Sequence, residues 1–398
     1  MANFRTIDQL DPKGKRVLVR VDFNVPMQDG EVTDATRIER AAVTLKELMG
    51  KGAKVVALSH FGRPKGNVEP AMSLAPIARA LGKALGGIEV AFGKDCIGPD
   101  AEATVGGVQE GGIALLENLR FHVGEEKNVP AFADALAAMG DVYVNDAFSC
   151  SHRAHASITG LAERLPTFAG RLMEAELKAL TNAIGGASRP VAALVGGAKV
   201  SSKLDVLGHL LDKVDVLIIG GGMANTFLHA KGIDVGKSLC EKDLADTARS
   251  ILEKAQAKRV RILLPVDGVV AMRFEQHAEH RVVPIGQVGA EEMVLDIGPD
   301  SAAAVEAALV DCRTLLWNGP LGAFEVEPFD KGTVAVAQAA AKLTDDGRLL
   351  SVAGGGDTVA ALAHAGVLER FSYVSTAGGA FLEFIEGKDL PGVAALSR

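Results

Sequence analysis

No apolar run in this chain approaches the ~20 residues that a helix needs to span a bilayer, so no membrane-spanning helix is expected. The opening residues, Met1-Ala2-Asn3-Phe4-Arg5, show no basic segment followed by an apolar one, and nothing there reads as a secretory signal. Cysteine is scarce: Cys96, Cys150, Cys240 and Cys312 lie far apart and form neither a CxxC pair nor a disulfide framework. A reducing, cytoplasmic setting follows as the simpler expectation. Positive charge is in deficit as well. A formal net charge of −8 argues against a general nucleic-acid or membrane role. An anionic ligand would have to be drawn in by a local cluster of cations. The usual phosphate motifs are missing too. There is no GxxxxGK[ST], and neither Gly220-Gly221-Gly222-Met223-Ala224-Asn225 nor Gly354-Gly355-Gly356-Asp357-Thr358-Val359 supplies the sixth-position glycine of the dinucleotide fingerprint. That disfavours a nicotinamide-dependent dehydrogenase.

What is present is an α/β pattern. At 398 residues the chain is long enough for two domains of similar size. Short Val-, Ile- and Leu-rich runs recur, each followed by a Gly-containing or polar loop and a helix-like stretch. The strand candidates are Arg16 to Val21, Lys54 to Ser59, Ile113 to Glu117 and Asp141 to Asn145 in the first half. In the second half they are Val191 to Val195, Val216 to Ile219, Arg261 to Pro265, Thr314 to Trp317, Leu349 to Ala353 and Tyr373 to Ser375. Near-continuous apolar strands suit a sheet buried on both faces, and helical intervals imply parallel strands with crossovers. Two doubly wound, Rossmann-like parallel-sheet domains are expected. Residues 170–185 place Leu172, Met173, Leu177, Leu180 and Ile184 at near-helical spacing, with Gly185-Gly186 as a stop. This stretch reads as a helix joining the domains, with an ordinary crossover helix as the alternative. The expected divisions are 1–170, a connecting helix over 171–186, and 187–375.

Ligands of open parallel sheets bind beyond the carboxyl ends of the strands, and the two halves differ there. In the first half the strand ends carry Asp22 and Asn24, then His60 and Arg63, then Arg120, then Arg153, with Arg37 a short loop after the first strand. Guanidinium forks bind phosphate and carboxylate in bidentate fashion. Any one of these arginines could be a solvated loop charge; their placement at four strand ends points to a shared anion site. In the second half the ends are glycine-rich: Gly196-Gly197, Gly220-Gly221-Gly222, Asn318-Gly319, Gly354-Gly355-Gly356 and Gly378-Gly379. Such turns let backbone N–H groups approach phosphate at a helix start. A nucleotide site is the natural reading.

These segments resemble the phosphoglycerate kinase family. Arg20-Val21-Asp22-Phe23-Asn24-Val25-Pro26, Ser59-His60-Phe61-Gly62-Arg63-Pro64 and Glu117-Asn118-Leu119-Arg120-Phe121 stand in the family's order. Gly196-Gly197-Ala198-Lys199-Val200, Trp317-Asn318-Gly319-Pro320 and Gly354-Gly355-Gly356-Asp357-Thr358 continue that order. The resemblance implies reversible phosphoryl transfer between ATP and the carboxylate of 3-phosphoglycerate, giving 1,3-bisphosphoglycerate and ADP. It implies that Asp22, Asn24, Arg37, His60, Arg63, Arg120 and Arg153 hold the phosphoglycerate. Lys199, Lys203, Asn318, Gly355, Gly356 and Thr358 would lie at the nucleotide phosphates, and Asp357 would hold their Mg2+. Gly197, Gly221, Gly222 and Leu295 would shape the adenine slot, and Glu325 would bind the ribose. Arg37 and Lys199, with the backbone at Gly356 and Gly379, would stabilise the moving group. The resemblance also implies a monomer, with residues 376–398 returning towards the first domain; because the two clusters sit in different halves, closure about the connecting helix is expected. The chain departs from the family pattern at Ser149-Cys150-Ser151, where Gly-Thr-Ala is usual, at Ser201-Ser202, and in the two-glycine form of Thr376-Ala377-Gly378-Gly379.

Overall fold

The computed structural model describes residues 4–397. It falls into two compact units. Residues up to Leu177 together with those from Asp389 onward form the first, and Lys178–Lys388 form the second.

The first unit is built on six parallel strands: β1 (Arg16–Arg20), β2 (Lys54–Leu58), β3 (Ala91–Gly93), β4 (Ile113–Leu116), β5 (Val142–Asn145) and β6 (Thr167–Ala169). Their spatial order is β3-β4-β2-β1-β5-β6. The central strands are apolar at nearly every position because both faces are covered. Val17, Val19, Val55, Ala57 and Val144 pack into one core, while Leu18, Val56, Leu58, Leu116 and Tyr143 pack into another on the opposite face. Each fully buried Val or Leu contributes roughly 1.5–3 kcal/mol. The strand order reverses between β1, which continues towards β2 on one side, and β5 on the other. That is the switch point of this sheet.

Helix α1 (Thr36–Gly50) follows β1, and its start is fixed by Asp34, whose Oδ1 accepts the Thr36 N–H at 2.9 Å. Helix α2 (Arg171–Ile184) carries the boundary between the units. Asp146, just beyond β5, caps it by accepting the N–H groups of Leu172 and Met173 at 2.8 and 3.1 Å. Its other end stops where the N–H groups of Gly185 and Gly186 both reach the Thr181 carbonyl at 2.8 Å. Residues from Asp389 onward lie on the first unit. There the Gly392 N–H donates to Ser151 O at 2.8 Å, and a Cβ at Gly392 would sit 2.7 Å from Ser151 Oγ and 2.8 Å from Ile158.

The second unit has a parallel sheet of β7 (Val191–Val195), β8 (Val216–Ile219), β9 (Arg261–Leu263), β13 (Thr314–Asn318), β14 (Leu350–Gly354) and β15 (Tyr373–Ser375). The order β9-β8-β7-β13-β14-β15 is that of a doubly wound nucleotide-binding sheet, with its switch point between β7 and β13. A separate antiparallel sheet holds β10 (Asp267–Ala271) between β11 (His280–Pro284) and β12 (Met293–Ile297). All ten strands expected from the sequence are present. Seven more among the described residues are not in that reading: β3, β6, β10, β11 and β12, and the two-residue strands Met27–Gln28 and Glu31–Val32, which pair antiparallel in a small sheet of their own. β3 and β6 have three residues each, and β11 exposes four of its five residues, so none shows a buried apolar run. β10 and β12 stand close to the β9 pattern in sequence and belong to the added sheet.

Candidate active site

Four adjoining strands of the first unit, β4, β2, β1 and β5, end in the loops that carry Arg120, His60 with Arg63, Asp22 with Asn24, and Arg153. Arg37 enters from the second position of α1. Because these strands are neighbours, residues more than a hundred positions apart in sequence meet at one edge. Arg37 Nη1 donates to Asp22 Oδ2 at 2.8 Å and to the Asn24 carbonyl at 3.2 Å. Ser149 Oγ–H donates to the same Asp22 oxygen at 2.6 Å, linking the β5 loop to the β1 loop. Asn24 Oδ1 accepts the Gly62 N–H at 3.0 Å, and Arg120 Nη1 donates to Gly62 O at 2.8 Å. These two bonds tie the β1 and β4 loops to the β2 loop. Buried Asn118 braces the same place, donating to Phe61 O at 2.7 Å and to Met72 O at 2.9 Å.

The electrostatics follow from burial. Burial pushes the Asp22 carboxyl up, but its neighbours, the His60 ring, Arg37 and the donors Ser149 and Asn24, together hold the group below its ordinary value. Burial, reinforced by the Arg20 charge, drives the His60 imidazole well below its usual range. Arg120 is lowered by burial, and its Nε lies 3.3 Å from Glu126 Oε1. Arg63 and Arg153 are exposed, and their guanidinium groups make no hydrogen bond or ion pair to another described residue. The edge thus offers one anchored acid, one neutral imidazole and several cations, two of them uncommitted. An anion carrying both a hydroxyl and negatively charged ends suits such a set.

In the second unit the glycine turns stand at the carboxyl ends of adjoining strands. Helices α3 (Leu204–Leu210), α4 (Gly222–Ala230), α5 (Gly356–His364) and α6 (Gly379–Ile385) start from them or shortly after. A cavity of about 390 Å³ opens beside them. Gly197, Gly221, Gly222, Leu295, Glu325 and Asp357, all named from the sequence, line it. The β7 and β8 turns touch backbone to backbone. A Cβ at Gly221 would lie 2.6 Å from Gly197 O and 2.8 Å from Gly197 N. Gly221 also adopts φ +66°, ψ −165°, a conformation essentially reserved for glycine.

Asn318, Lys203 and Thr358 stand apart from the cavity wall and lock the strand ends together. The Lys203 ammonium donates to Asn318 Oδ1, Asn318 Nδ2 donates to Gly354 O at 2.7 Å, and Thr358 Oγ1 accepts the Gly319 N–H at 2.7 Å. Burial lowers the Lys203 ammonium from its ordinary value, against the pull of Asp357 and Glu386. Lys199 is exposed on the β7 loop. Gly355 precedes α5, and Gly356 and Gly379 open α5 and α6, so their N–H groups stand at positive helix ends.

Several lining residues have no counterpart in the sequence reading. Phe274, 57% exposed, and Met293 come from or beside the antiparallel sheet, and Leu239 and Leu321 complete the apolar wall together with Pro265 and Pro320, which lie in segments already quoted. Only recognition of β10–β12 could have pointed to the first two. In the first unit Ser149, Asn118 and the buried Arg20 are structurally central; Arg20 and Asn118 sit inside quoted motifs without a role assigned to them, and Ser149 stands in the segment that departs from the family pattern.

Comparison with known proteins agrees along the whole chain. A family model described as phosphoglycerate kinase matches residues 7–388. A phosphoglycerate kinase of Azorhizobium caulinodans is 61% identical over 398 residues, covering all of both chains. One from Methylorubrum extorquens is 60% identical over 397 residues, covering 100% of this chain and 99% of that one. Among solved structures, phosphoglycerate kinase from Coxiella burnetii superposes with a TM-score of 0.92 at 43% identity, covering 99% of each chain. The enzyme from Pyrococcus horikoshii gives 0.82 at 32% identity, covering 98% of each. With its two doubly wound sheets and matching motifs end to end, the chain belongs to the phosphoglycerate kinase family.

Proposed function

We propose that this protein is a 3-phosphoglycerate kinase, moving the γ-phosphoryl group of ATP reversibly to the carboxylate of 3-phosphoglycerate in glycolysis and its reversal. One observation carries the reading: the anion-binding strand ends and the glycine-lined cavity occupy separate parallel sheets, each at a carboxyl edge. In this reading Asp22, Asn24, Arg37, His60, Arg63, Arg120 and Arg153 bind the phosphoglycerate. Gly197, Gly221, Gly222 and Leu295 receive the adenine, Glu325 the ribose, and Lys199, Lys203, Asn318, Gly355, Gly356, Asp357 and Thr358 the phosphates.

The nucleophile is a carboxylate, already ionised at neutral pH, so the chain need supply no general base. Positioning and charge neutralisation remain. Arg37 and Lys199 are the proposed cationic stabilisers, and the N–H groups of Gly356 and Gly379 add helix-end dipoles. The exposed Asp357 carboxylate, in the first turn of α5 and on the cavity wall, fits a Mg2+ ion that arrives with the nucleotide and keeps several waters. When bound, that ion neutralises charge on the phosphates. Each substrate site lies in its own unit, so transfer calls for closure about α2, which also excludes water. The four cysteines are free thiols, in keeping with a reducing compartment. A monomeric cytoplasmic enzyme is the proposed form.

A coupled assay with ATP, Mg2+ and 3-phosphoglycerate tests the reading, with Lys199→Ala as its second arm. Turnover is expected, and the variant should lose at least ~10²-fold of it, as with other electrostatic stabilisers. No turnover of 3-phosphoglycerate would sink the activity, and a near-normal Lys199→Ala enzyme would sink the role given to that lysine.

A further inference from the structure

Behind the anion site lies a layer of buried polar groups that the reaction itself does not use. Arg20, the last residue of β1, is fully buried, as is Glu125. Arg20 Nε donates to Ser157 Oγ at 2.9 Å, and one terminal nitrogen donates to the Val21 carbonyl. Ser157 in turn gives its hydroxyl proton to Glu125 Oε1 at 2.6 Å and its N–H to Glu125 Oε2 at 2.9 Å. Tyr143 Oη–H holds the Ser157 carbonyl at 2.7 Å. The guanidinium is therefore held through two of its three nitrogens. Its remaining nitrogen, Nη2, lies 3.1 Å from His60 Nδ1 and 3.7 Å from Cys150 Sγ.

A guanidinium has donors and no acceptor. The Nδ1 atom it touches must therefore present a lone pair, and the ring proton must sit on Nε2. We propose that Arg20 is a positioning residue for the phosphoglycerate site: by donating to Nδ1 it fixes His60 as the neutral Nε2–H tautomer, so the imidazole meets its anionic ligand as a directed donor without charge. This rests on the reading of His60 as a substrate contact. The surrounding charges are consistent with it. Arg20, Arg120 and His155 all disfavour a second proton on the ring, and Asp22 alone favours one. With Arg37 already on Asp22, that single attraction is shared.

The same hydrogen bond disposes of an apparent metal site. Donor atoms of Asp22, His60 and Cys150 lie within 4.8 Å of one another. An ion on Nδ1 would have to displace Arg20, and an ion on Nε2 would leave a Nδ1–H facing the Arg20 donors. The cluster is a hydrogen-bonded layer.

The test begins with the unmodified chain, labelled with 15N-histidine and observed by long-range 1H–15N correlation without substrate, the His60 signals being assigned through His60→Gln. A neutral Nε2–H ring that does not titrate between pH 6 and 8 is expected. An imidazolium or a Nδ1–H ring at pH 7 would overturn the proposal, whatever the activity of the enzyme. Arg20→Met is then combined with Glu125→Gln, so that no carboxylate is stranded in the core. This pair should let the ring populate both tautomers and raise the KM for 3-phosphoglycerate about tenfold or more, the scale of a hydrogen bond to a charged group. The KM for ATP should stay within about twofold, and Arg20→Lys should recover part of both effects. A tautomer unchanged in the folded double variant, or equal losses for both substrates, refutes the positioning role. Should the double variant not fold, the spectrum of the unmodified chain still decides. If adding 3-phosphoglycerate leaves the His60 signals unmoved while turnover is normal, His60 is no substrate contact. The proposal then fails although the kinase reading stands.

Discussion

Replacing Gly221 by alanine tests a close backbone approach at the cavity of the second unit. The added methyl would stand 2.6 Å from Gly197 O, 2.8 Å from Gly197 N and 3.2 Å from Gly197 C. All three are backbone atoms, so no rotamer change relieves the clash. The backbone itself adds a second cost, since φ +66° with ψ −165° strains any residue bearing a Cβ by about 1–3 kcal/mol. Overpacking adds about 1–3 kcal/mol. Together these predict a loss of about 2–6 kcal/mol, or roughly 4–24 °C in the melting of this unit at about 2–4 °C per kcal/mol. The chain can escape only by moving the β7 and β8 turns apart, which displaces Gly197 and Gly222 from the cavity wall. The KM for ATP should therefore rise at least tenfold, while that for 3-phosphoglycerate stays put. Gly208→Ala is the matched control: it lies within α3 with nothing inside 4 Å of its missing Cβ, and should gain about 0.5–1 kcal/mol. Differential scanning calorimetry and initial rates on both variants settle the matter. A Gly221→Ala protein with unchanged melting and unchanged ATP KM refutes the reasoning.

Lys203→Met removes the donor to Asn318 Oδ1 and a half-buried cation from the glycine rim. The KM for ATP should rise about 10- to 150-fold, the value of a charged hydrogen bond, and a change under twofold in steady-state rates would contradict it. Asp146→Asn should keep an acceptor for the start of α2 while removing a buried acid. Burial raises the Asp146 carboxyl to about 6, against the donors of Thr44, Met173 and Leu172. Between pH 3.8 and 6 the folded chain thus holds a proton the unfolded chain has released, and stability falls as pH rises through that window. Relative to the parent, Asp146→Asn should gain up to about 3 kcal/mol from pH 4 to pH 7.5 in urea titrations. A difference independent of pH would exclude a buried titrating Asp146.

The fold was legible where burial on both faces left its mark. Val17 to Val19 and Val55 to Leu58 alternate between two cores, and Val191 to Val195 is buried at every position, so each strand reads as an unbroken apolar run. β11 carries no such mark because four of its residues meet water, and β3 and β6 are too short to hold a pattern. The grouping of Asp22, His60 and Arg120 could be anticipated because strand ends gather ligands, whatever their separation in sequence. Phe274 and Met293 could not, because their place at the cavity comes from a small sheet whose packing no local periodicity records. Nor could the service of Arg20 to His60. In sequence Arg20 is one more base beside Asp22. Its meaning comes from complete burial and from a ring nitrogen 3.1 Å away.

The first unit is closed by residues that the ribosome makes after the whole of the second. Until Asp389–Ser397 emerges, the turn at Ser151 lacks the Gly392 N–H that its carbonyl accepts, and Ile158 lacks its cover. The nascent first unit must wait unfinished, with the Cys150–Ser151 turn open, while its neighbour is synthesised and folds. Acquisition of the final native contacts is therefore a late event in the life of the chain, however early its strands have paired.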